Sequence, residues 1–169
     1  MAQETAPHDD APFSDCDHRL QIVQGYYELG MIDDARTELA EVEAEFQPTP
    51  NLIQMRILLL LHEKEWSEAH ELSAQLRAMD PEGCAGYIHG AYSLHEMKRT
   101  REALDLLSQG PSSLKEEALY YYNLGCYRAA LGDVETAREC LHKSFDLDGR
   151  LVAVARKDPD LHALKDSLL

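Results

Sequence analysis

The sequence predicts an all-α protein built from repeated helical hairpins, and three observations support this fold class. Four alanines, each early in a predicted second helix, are spaced by 34 residues: Ala35, Ala69, Ala103 and Ala137. A turn precedes each alanine, and apolar residues follow it at the spacing of an amphipathic helix. Three equal spacings in succession indicate an internal repeat, and a period of this length is typical of a stack of helical hairpins.

The alanine has a physical role in such a hairpin. The two helices of one repeat cross closely there, and a side chain larger than a methyl group would push their backbones apart. Placing Ala137 at the twentieth position of its repeat gives four repeats, at 16-49, 50-83, 84-117 and 118-151. Their first helices are then predicted near 16-29, 50-63, 84-97 and 118-131.

The fourth repeat has the clearest pattern. Leu124 and Gly125 form a large-small pair, Gly132 with Asp133 breaks the first helix, and Ala137 with Leu141 forms the apolar stripe of the second. This pattern and the 34-residue period resemble the tetratricopeptide repeat (TPR) over residues 16-151. The resemblance implies a right-handed α-solenoid of four TPR-like helix-turn-helix repeats, in which the first helices line a concave groove.

The other repeats match less closely. In the second, Arg56 and Ile57 replace the family's usual leucine and small residue, which predicts either wider helix packing or a register shifted by one residue. In the third, the second helix is predicted to end early at Gly110 and Pro111, with Gly110 as its C-terminal cap. This break is interpreted as an ordinary turn between repeats or as a functional hinge.

The two ends of the chain have different predictions. Residues 1-15 are proline-rich and acidic, with only Phe13 as an apolar anchor, and are expected to form a flexible tail. Residues 152-169 are expected to form a C-terminal capping helix that starts at Asp158 and Pro159, because a repeat stack exposes the apolar side of its last unit. Its buried face would carry Leu161, Leu164 and Leu168.

Composition restricts the function. The 169 residues carry 31 acidic and 16 basic side chains, a formal net charge of -15, which argues against a nucleic-acid or membrane-surface partner. The longest apolar run, Ile57 to Leu61, is too short to span a membrane, and the N-terminus lacks the pattern of a signal peptide. We therefore expect a cytoplasmic protein.

Chemical motifs are not found. The four cysteines form no CxxC pair and are interpreted as core residues, and the eight histidines have no helical i, i+4 pair or HExxH motif that would predict a metal site. No phosphate-binding loop, dinucleotide fingerprint or nucleophile motif occurs. The sequence thus predicts a non-enzymatic protein with no cofactor and no metal.

The resemblance also implies which side chains face the groove. They are mostly apolar, amide or aromatic: Gln24, Tyr27, Gln54, Met55, Leu58, His62, Ile88, His89, Tyr92, His95, Tyr122, Asn123 and Cys126. Almost none is charged, and only His89 among the positions of the family's carboxylate clamp could carry positive charge, so a clamp for chaperone C-termini is not expected. A peptide with apolar anchors is predicted instead. The alternative is that Leu58 and Ile88 belong to the core and the groove is closed.

Three functions remain open at this point. The first is a scaffold or adaptor that binds a partner protein or peptide in its groove. The second is a chaperone like the small, acidic TPR chaperones of bacterial secretion systems. The third is an accessory subunit of an enzyme complex. The identity of the partner and the oligomeric state do not follow from the sequence.

Overall fold

The computed structural model describes residues 15–164. The predicted flexible tail, except Asp15, and Leu168 of the predicted cap lie outside these residues. The described chain is all-helical, with nine α-helices and two 3-10 helices: α1 (Asp15–Glu28), α2 (Ile32–Glu45), α3 (Pro50–Glu63), α4 (Trp66–Met79), α5 (Ala85–Glu96), α6 (Thr100–Ser108), a 3-10 helix at Ser112–Glu116, α7 (Ala118–Ala130), α8 (Val134–Leu147), α9 (Leu151–Ala155) and a 3-10 helix at Pro159–Leu164.

The helices follow the predicted repeats. The hairpins α1–α2, α3–α4, α5–α6 and α7–α8 correspond to the four repeats in order, and each first helix begins and ends within one or two residues of its predicted bounds. The predicted fold class, all-α with four TPR-like hairpins and a C-terminal cap, is confirmed. Two compact units divide the described chain, one ending at Met55 and the other beginning at Arg56, so that the boundary falls within α3.

A left-handed residue ends the first helix of every hairpin. Gly30, Lys64, Lys98 and Gly132, spaced by 34 residues, have φ values of 73°, 64°, 66° and 84°. At each turn the N–H of the following residue donates to the carbonyl five residues back, as in Met31 to Tyr26 and Arg99 to Leu94, both at 2.9 Å. This is the Schellman motif, which satisfies helix-end carbonyls. The equal spacing shows that Arg56 and Ile57 do not shift the register of the second repeat.

The four repeat alanines are fully buried, each with 0% of its surface exposed. Opposite Ala137, the glycine of the large-small pair in α7 also packs closely. A methyl group at Gly125 would lie 2.5 Å from Cγ of Leu141 and 3.2 Å from the carbonyl oxygen of Ala137. The small residues therefore allow α7 and α8 to approach each other, as the repeat pattern predicts.

The break after α6 is a packed turn. The second helix of this repeat ends at Ser108, as predicted, and the Gly110 N–H donates to the Leu107 carbonyl at 3.3 Å. Gly110 does not have the positive φ that usually makes glycine favourable at a helix end. A Cβ atom there would overlap the side chain of Leu114 and lie 3.2 Å from Cγ of Tyr87, so glycine is needed for space. Leu114, in the following 3-10 helix, is only 2% exposed. This packing favours the ordinary turn over the hinge.

Residues 151–164, which we call the C-terminal segment, are the last described part of the second unit. Leu161 and Leu164 are 1% and 3% exposed and belong to the core that also contains Tyr127 and Leu141. The described cap consists of α9 and a 3-10 helix, whereas one α-helix starting at Asp158 was expected. The Asp158 carboxylate accepts a hydrogen bond from the Asp160 N–H at 2.9 Å, and such local bonds favour turns over α-helix.

Ion pairs and apolar contacts join α1 to α2 in the first unit. The guanidinium of Arg19, on α1, reaches the carboxylates of Glu38, Glu41 and Glu45 on α2 at 2.6 to 2.9 Å. Beneath these ion pairs, Val23 and Val42 are fully buried. None of the helices described between residues 15 and 164 is both long and apolar enough to cross a membrane.

Candidate functional site

The first unit has an open cleft between α1 and the first residues of α3. Its volume is about 330 Å³, and it is lined by Asp17, Leu20, Gln21, Gln24, Asn51, Gln54 and Met55. These residues come from one face of each helix, because they recur at three- and four-residue intervals. Three of the predicted groove residues, Gln24, Gln54 and Met55, therefore line the same cleft.

The cleft combines a buried apolar floor with polar sides. Leu20 and Met55 are 5% and 7% exposed and form the floor. The side-chain amide of Asn51 donates to the Asp17 carboxylate at 3.2 Å, which joins α1 to α3 at one end. Among the described residues no hydrogen bond holds the amides of Gln21 or Gln54. Each of these amides offers both donors and an acceptor to a ligand.

Asp17 and Asn51, which also line this cleft, were not predicted as groove residues. Asp17 and Asn51 stand at the second position of their repeats, which the TPR resemblance assigns to the groove, so the repeat count could have found them. Tyr27, which was predicted, does not line the cleft. It is partly buried, and burial raises the pKa of its hydroxyl group.

On the second unit, the C-terminal segment covers the corresponding face of α5 and α7. The Tyr122 hydroxyl donates to Oδ2 of Asp158 at 2.7 Å, and the Cys126 thiol donates to the same oxygen at 3.7 Å. Nε2 of His95 lies 2.9 Å from Oδ2 of Asp160. The three predicted groove residues are 4% to 6% exposed. The prediction that Tyr122, Cys126 and His95 line an open groove is therefore wrong. Their side chains bind carboxylates of the C-terminal segment instead.

His95 is fixed on both sides of its ring. Nδ1 lies 3.0 Å from Oγ1 of Thr100, and the ring stacks on Tyr127 with centroids 4.7 Å apart. The hydroxyl of Tyr127 is buried and has no hydrogen-bond partner among the described residues. A buried polar group of this kind costs free energy and calls for an explanation.

The other predicted residues differ in exposure. Ile88 and Asn123 are 8% and 9% exposed, Leu58 is partly buried, and His62 is exposed. The burial of Ile88 corresponds to the alternative that placed it in the core.

His89 is also partly buried, and burial lowers its pKa to about 4. This histidine is therefore neutral at pH 7, so it does not supply the positive charge that the sequence allowed there.

Tyr92 lies among negative charges. Its ring meets Trp66 edge to face, with centroids 5.8 Å apart. Burial raises the pKa of its hydroxyl to about 12, and the carboxylates of Glu96, Asp158 and Asp160 add to this shift. The inner face of the second unit is thus acidic, which corrects the expectation of an almost uncharged groove. Glu96 stands at the thirteenth repeat position, next to His95, and was left out of the sequence analysis.

Comparison with known proteins supports the fold. No protein-family model matches the sequence, and no curated protein matches it either. Among solved structures, MamA 41-end from Desulfovibrio magneticus RS-1 is similar, with a TM-score of 0.64 and 18% identity over 93% of this chain and 89% of that chain. MamA MSR-1 C2 has a TM-score of 0.59 and 18% identity, and covers 83% and 81%. At this identity the likeness shows the fold alone, a TPR-like helical repeat.

Proposed function

We propose that the protein is a non-enzymatic interaction scaffold that binds an extended peptide segment of a partner protein in the cleft of its first unit. The observation that carries the proposal is the pairing of an apolar floor, Leu20 and Met55, with the available amides of Gln21 and Gln54. Amides at this spacing suit the N–H and C=O groups of an extended backbone, and the floor suits an apolar anchor. A helical-repeat fold supports this role because it presents extended binding surfaces.

Charge restricts the partner further. Residues 15–55 contain nine acidic and two basic side chains, a net charge of -7 with histidine neutral. Asp17 places one of these carboxylates at the wall of the cleft. A peptide with a lysine or arginine beside its apolar anchor therefore complements the cleft better than an acidic peptide does, and its association is faster at low salt.

The chemistry of the second unit supports a non-enzymatic role. The thiol of Cys126 is the most nucleophilic type of group on the inner face of α7. Burial, followed by the charges of Asp158 and Asp160, raises its pKa, so the thiol stays protonated at neutral pH. A protonated, buried thiol is a poor nucleophile. We therefore assign no reaction to this face.

Selection from a peptide library tests the proposal. A random library displayed on phage is selected on the full chain, and the enriched peptides are synthesised and titrated by calorimetry. We expect peptides with an apolar residue next to a basic one. Gln21→Arg, which removes an amide and repels the basic residue, should weaken binding at least about tenfold, and Gln54→Ala several-fold, as expected for the loss of one hydrogen bond.

The matched control is Gln75→Arg, which makes the same change at an exposed position of α4 outside the cleft. Its affinity for the same peptides should equal that of the unmodified protein. Equal binding to Gln21→Arg and to the unmodified chain would place the peptides elsewhere and overturn the cleft assignment. Failure to enrich any peptide would overturn the peptide-binding function itself.

A further inference from the structure

The C-terminal segment brings a carboxylate to the end of α5 from a distant part of the sequence. A ring nitrogen of His95, a carboxylate oxygen of Glu96 and a carboxylate oxygen of Asp160 all lie within 4.8 Å of one another. Two of these residues are adjacent on α5, and the third is 64 or more positions away. The arrangement therefore depends on how the C-terminal segment packs, and no spacing motif in the sequence indicates it.

The distances fit a metal ion. Bonds of about 2.1 Å place two ligand atoms about 3.0 Å apart at the right angles of an octahedral site and about 3.4 Å apart at the tetrahedral angle common for zinc. Nε2 of His95 and Oδ2 of Asp160 are 2.9 Å apart. The Glu96 oxygen, within 4.8 Å of both, needs only a side-chain adjustment to complete a three-ligand site.

The region around the cluster is acidic. Carboxylate oxygens of Glu96 and Asp160 lie within 4.8 Å of each other, and the Asp158 carboxylate is held in the same segment by the hydrogen bond that it accepts from the Asp160 N–H. In the described part of the chain, no ion pair joins any of the three to a lysine or arginine, and the Glu96 carboxylate has no hydrogen-bond partner. Bringing carboxylates together at a partly buried site costs free energy that a bound cation offsets.

His95 is oriented as metal-binding histidines are. The Thr100 hydroxyl, 3.0 Å from Nδ1, and the Tyr127 ring hold the imidazole so that Nε2 points to the carboxylates. Ligand histidines commonly have such a partner on the second ring nitrogen, which fixes the tautomer. Without a metal ion, Nε2 donates its proton to the Asp160 carboxylate. Metal binding would require the tautomer with the proton on Nδ1, which leaves the lone pair of Nε2 directed at the cluster.

The buried hydroxyl of Tyr127 gives an independent indication of a ligand. It lacks a partner among the described residues, and its side chain is 1% exposed. Its ring stacks on the imidazole of His95 with centroids 4.7 Å apart, which places Tyr127 beside the cluster. A water molecule bound to a metal ion at the cluster would supply the hydrogen-bond partner that this hydroxyl lacks.

We propose that His95, Glu96 and Asp160 bind one divalent first-row transition-metal ion, with zinc as its representative. One imidazole nitrogen and two carboxylate oxygens are a ligand set that zinc accepts, whereas magnesium and calcium prefer oxygen ligands alone. The ion balances the charge of both carboxylates. It also joins the C-terminal segment to α5, so binding stabilises the second unit.

Calorimetry and thermal unfolding test the site on the full chain. The protein is treated with EDTA, freed of chelator and titrated with zinc chloride. We expect one zinc ion per chain and a higher unfolding temperature, because a ligand that binds only the folded state stabilises it. Magnesium chloride at the same concentration should produce no shift. Cobalt(II) provides a second readout, a visible absorption band that appears on binding and disappears when zinc is added.

Two variants preserve shape and remove charge. Glu96→Gln and Asp160→Asn should each weaken zinc binding at least about tenfold and abolish the cobalt band, as expected for the loss of a direct ligand. Far-ultraviolet circular dichroism verifies that each variant is folded. Matched controls are Glu135→Gln and His142→Gln, which alter exposed residues of α8; zinc affinity and the cobalt band should remain as in the unmodified chain.

Two results would overturn the proposal. The first is the absence of zinc binding and of a thermal shift in the unmodified chain at millimolar zinc. The second is equal zinc affinity in the unmodified chain, Glu96→Gln and Asp160→Asn, which would assign the metal to other histidines or cysteines. Neither result affects the peptide cleft of the first unit, whose test uses different residues.

Discussion

Equivalent positions of the first and fourth hairpins have opposite accessibility. Gln24 and Cys126 are three 34-residue periods apart, yet Gln24 is exposed and Cys126 is only 5% exposed. The same holds for the exposed Gln21 and the buried Asn123. The C-terminal segment accounts for much of this difference, because Asp158 binds Cys126 and Tyr122. A repeat position therefore sets the direction of a side chain, and the segments packed on it decide whether a ligand reaches it.

The largest expected effect tests how firmly the covering segment is packed. Leu161→Ala should lower the free energy of unfolding by about 3 kcal/mol, because it leaves a cavity in the core of the second unit. Val154→Ala, in the same segment but 50% exposed, should change it by less than about 0.5 kcal/mol. Urea unfolding measures both. Similar small values for the two variants would show that the segment is not part of the folded core.

Acid should destabilise the second unit through His89. In the folded protein, burial lowers the pKa of His89 from its ordinary value of 6.5 to about 4. The neutral ring therefore contributes fully to the free energy of unfolding above pH 6.5, and this contribution is lost as the pH falls towards 4. The loss is up to about 3 kcal/mol by the usual linkage between pKa and stability. His89→Gln should reduce the pH dependence between 7 and 4, whereas His142→Gln, exposed on α8, should not. Identical pH profiles for all three proteins would contradict the assignment.

The hydrogen bond between Tyr122 and Asp158 tests the polar contact that closes the second unit. Asp158→Ala should lower the free energy of unfolding by about 1–3 kcal/mol, since it leaves a buried hydroxyl unpaired. Tyr122→Phe should lower the free energy of unfolding by a smaller amount. The double variant should lower it by less than the sum of the two single effects. A double-mutant cycle measures this coupling. Additive effects would mean that the two groups do not interact in solution.

The smallest effect concerns the turns. The first unit has glycine at its left-handed position, whereas two of the three turns of the second unit have lysine. Lys98→Gly should raise the free energy of unfolding by about 0.5–1 kcal/mol, because it relieves the strain of a positive φ at a cost in chain entropy. Gly30→Ala should lower it by a similar amount. Thermal unfolding shows whether each variant is more or less stable than the unmodified protein. A lower stability of Lys98→Gly would refute the argument.

Most of the fold follows from local pattern. The spacing of the four alanines places every hairpin, since each alanine marks a crossing that tolerates nothing larger. Lys64 and Lys98 show why residue type alone is a weaker signal: lysine does not favour a left-handed turn, but the period assigns one to both positions. Gly110 is the opposite case: glycine suggests a special backbone conformation, but here it is required only because a larger residue would overlap its neighbours.

The candidate site was also predictable only where local helix geometry determines it. Gln24, Gln54 and Met55 could be placed in one cleft because helical geometry fixes which residues share a face. The covering of Tyr122 and Cys126 depends on Asp158, a residue of a short segment with no regular period, so no local pattern predicts it. Long-range contacts of irregular segments are set by packing of the whole unit.

The edge-to-face contact between Trp66 and Tyr92 gives the second unit its own optical reporter. Trp66 is the only tryptophan of the chain, so tryptophan emission arises from a single place, the start of α4 beside α5. Tyr92 shares its surroundings with Glu96 and Asp160. Changes in tryptophan emission on adding zinc chloride or on acidification therefore come from the second unit, and they can be followed without any label because the first unit contains no tryptophan.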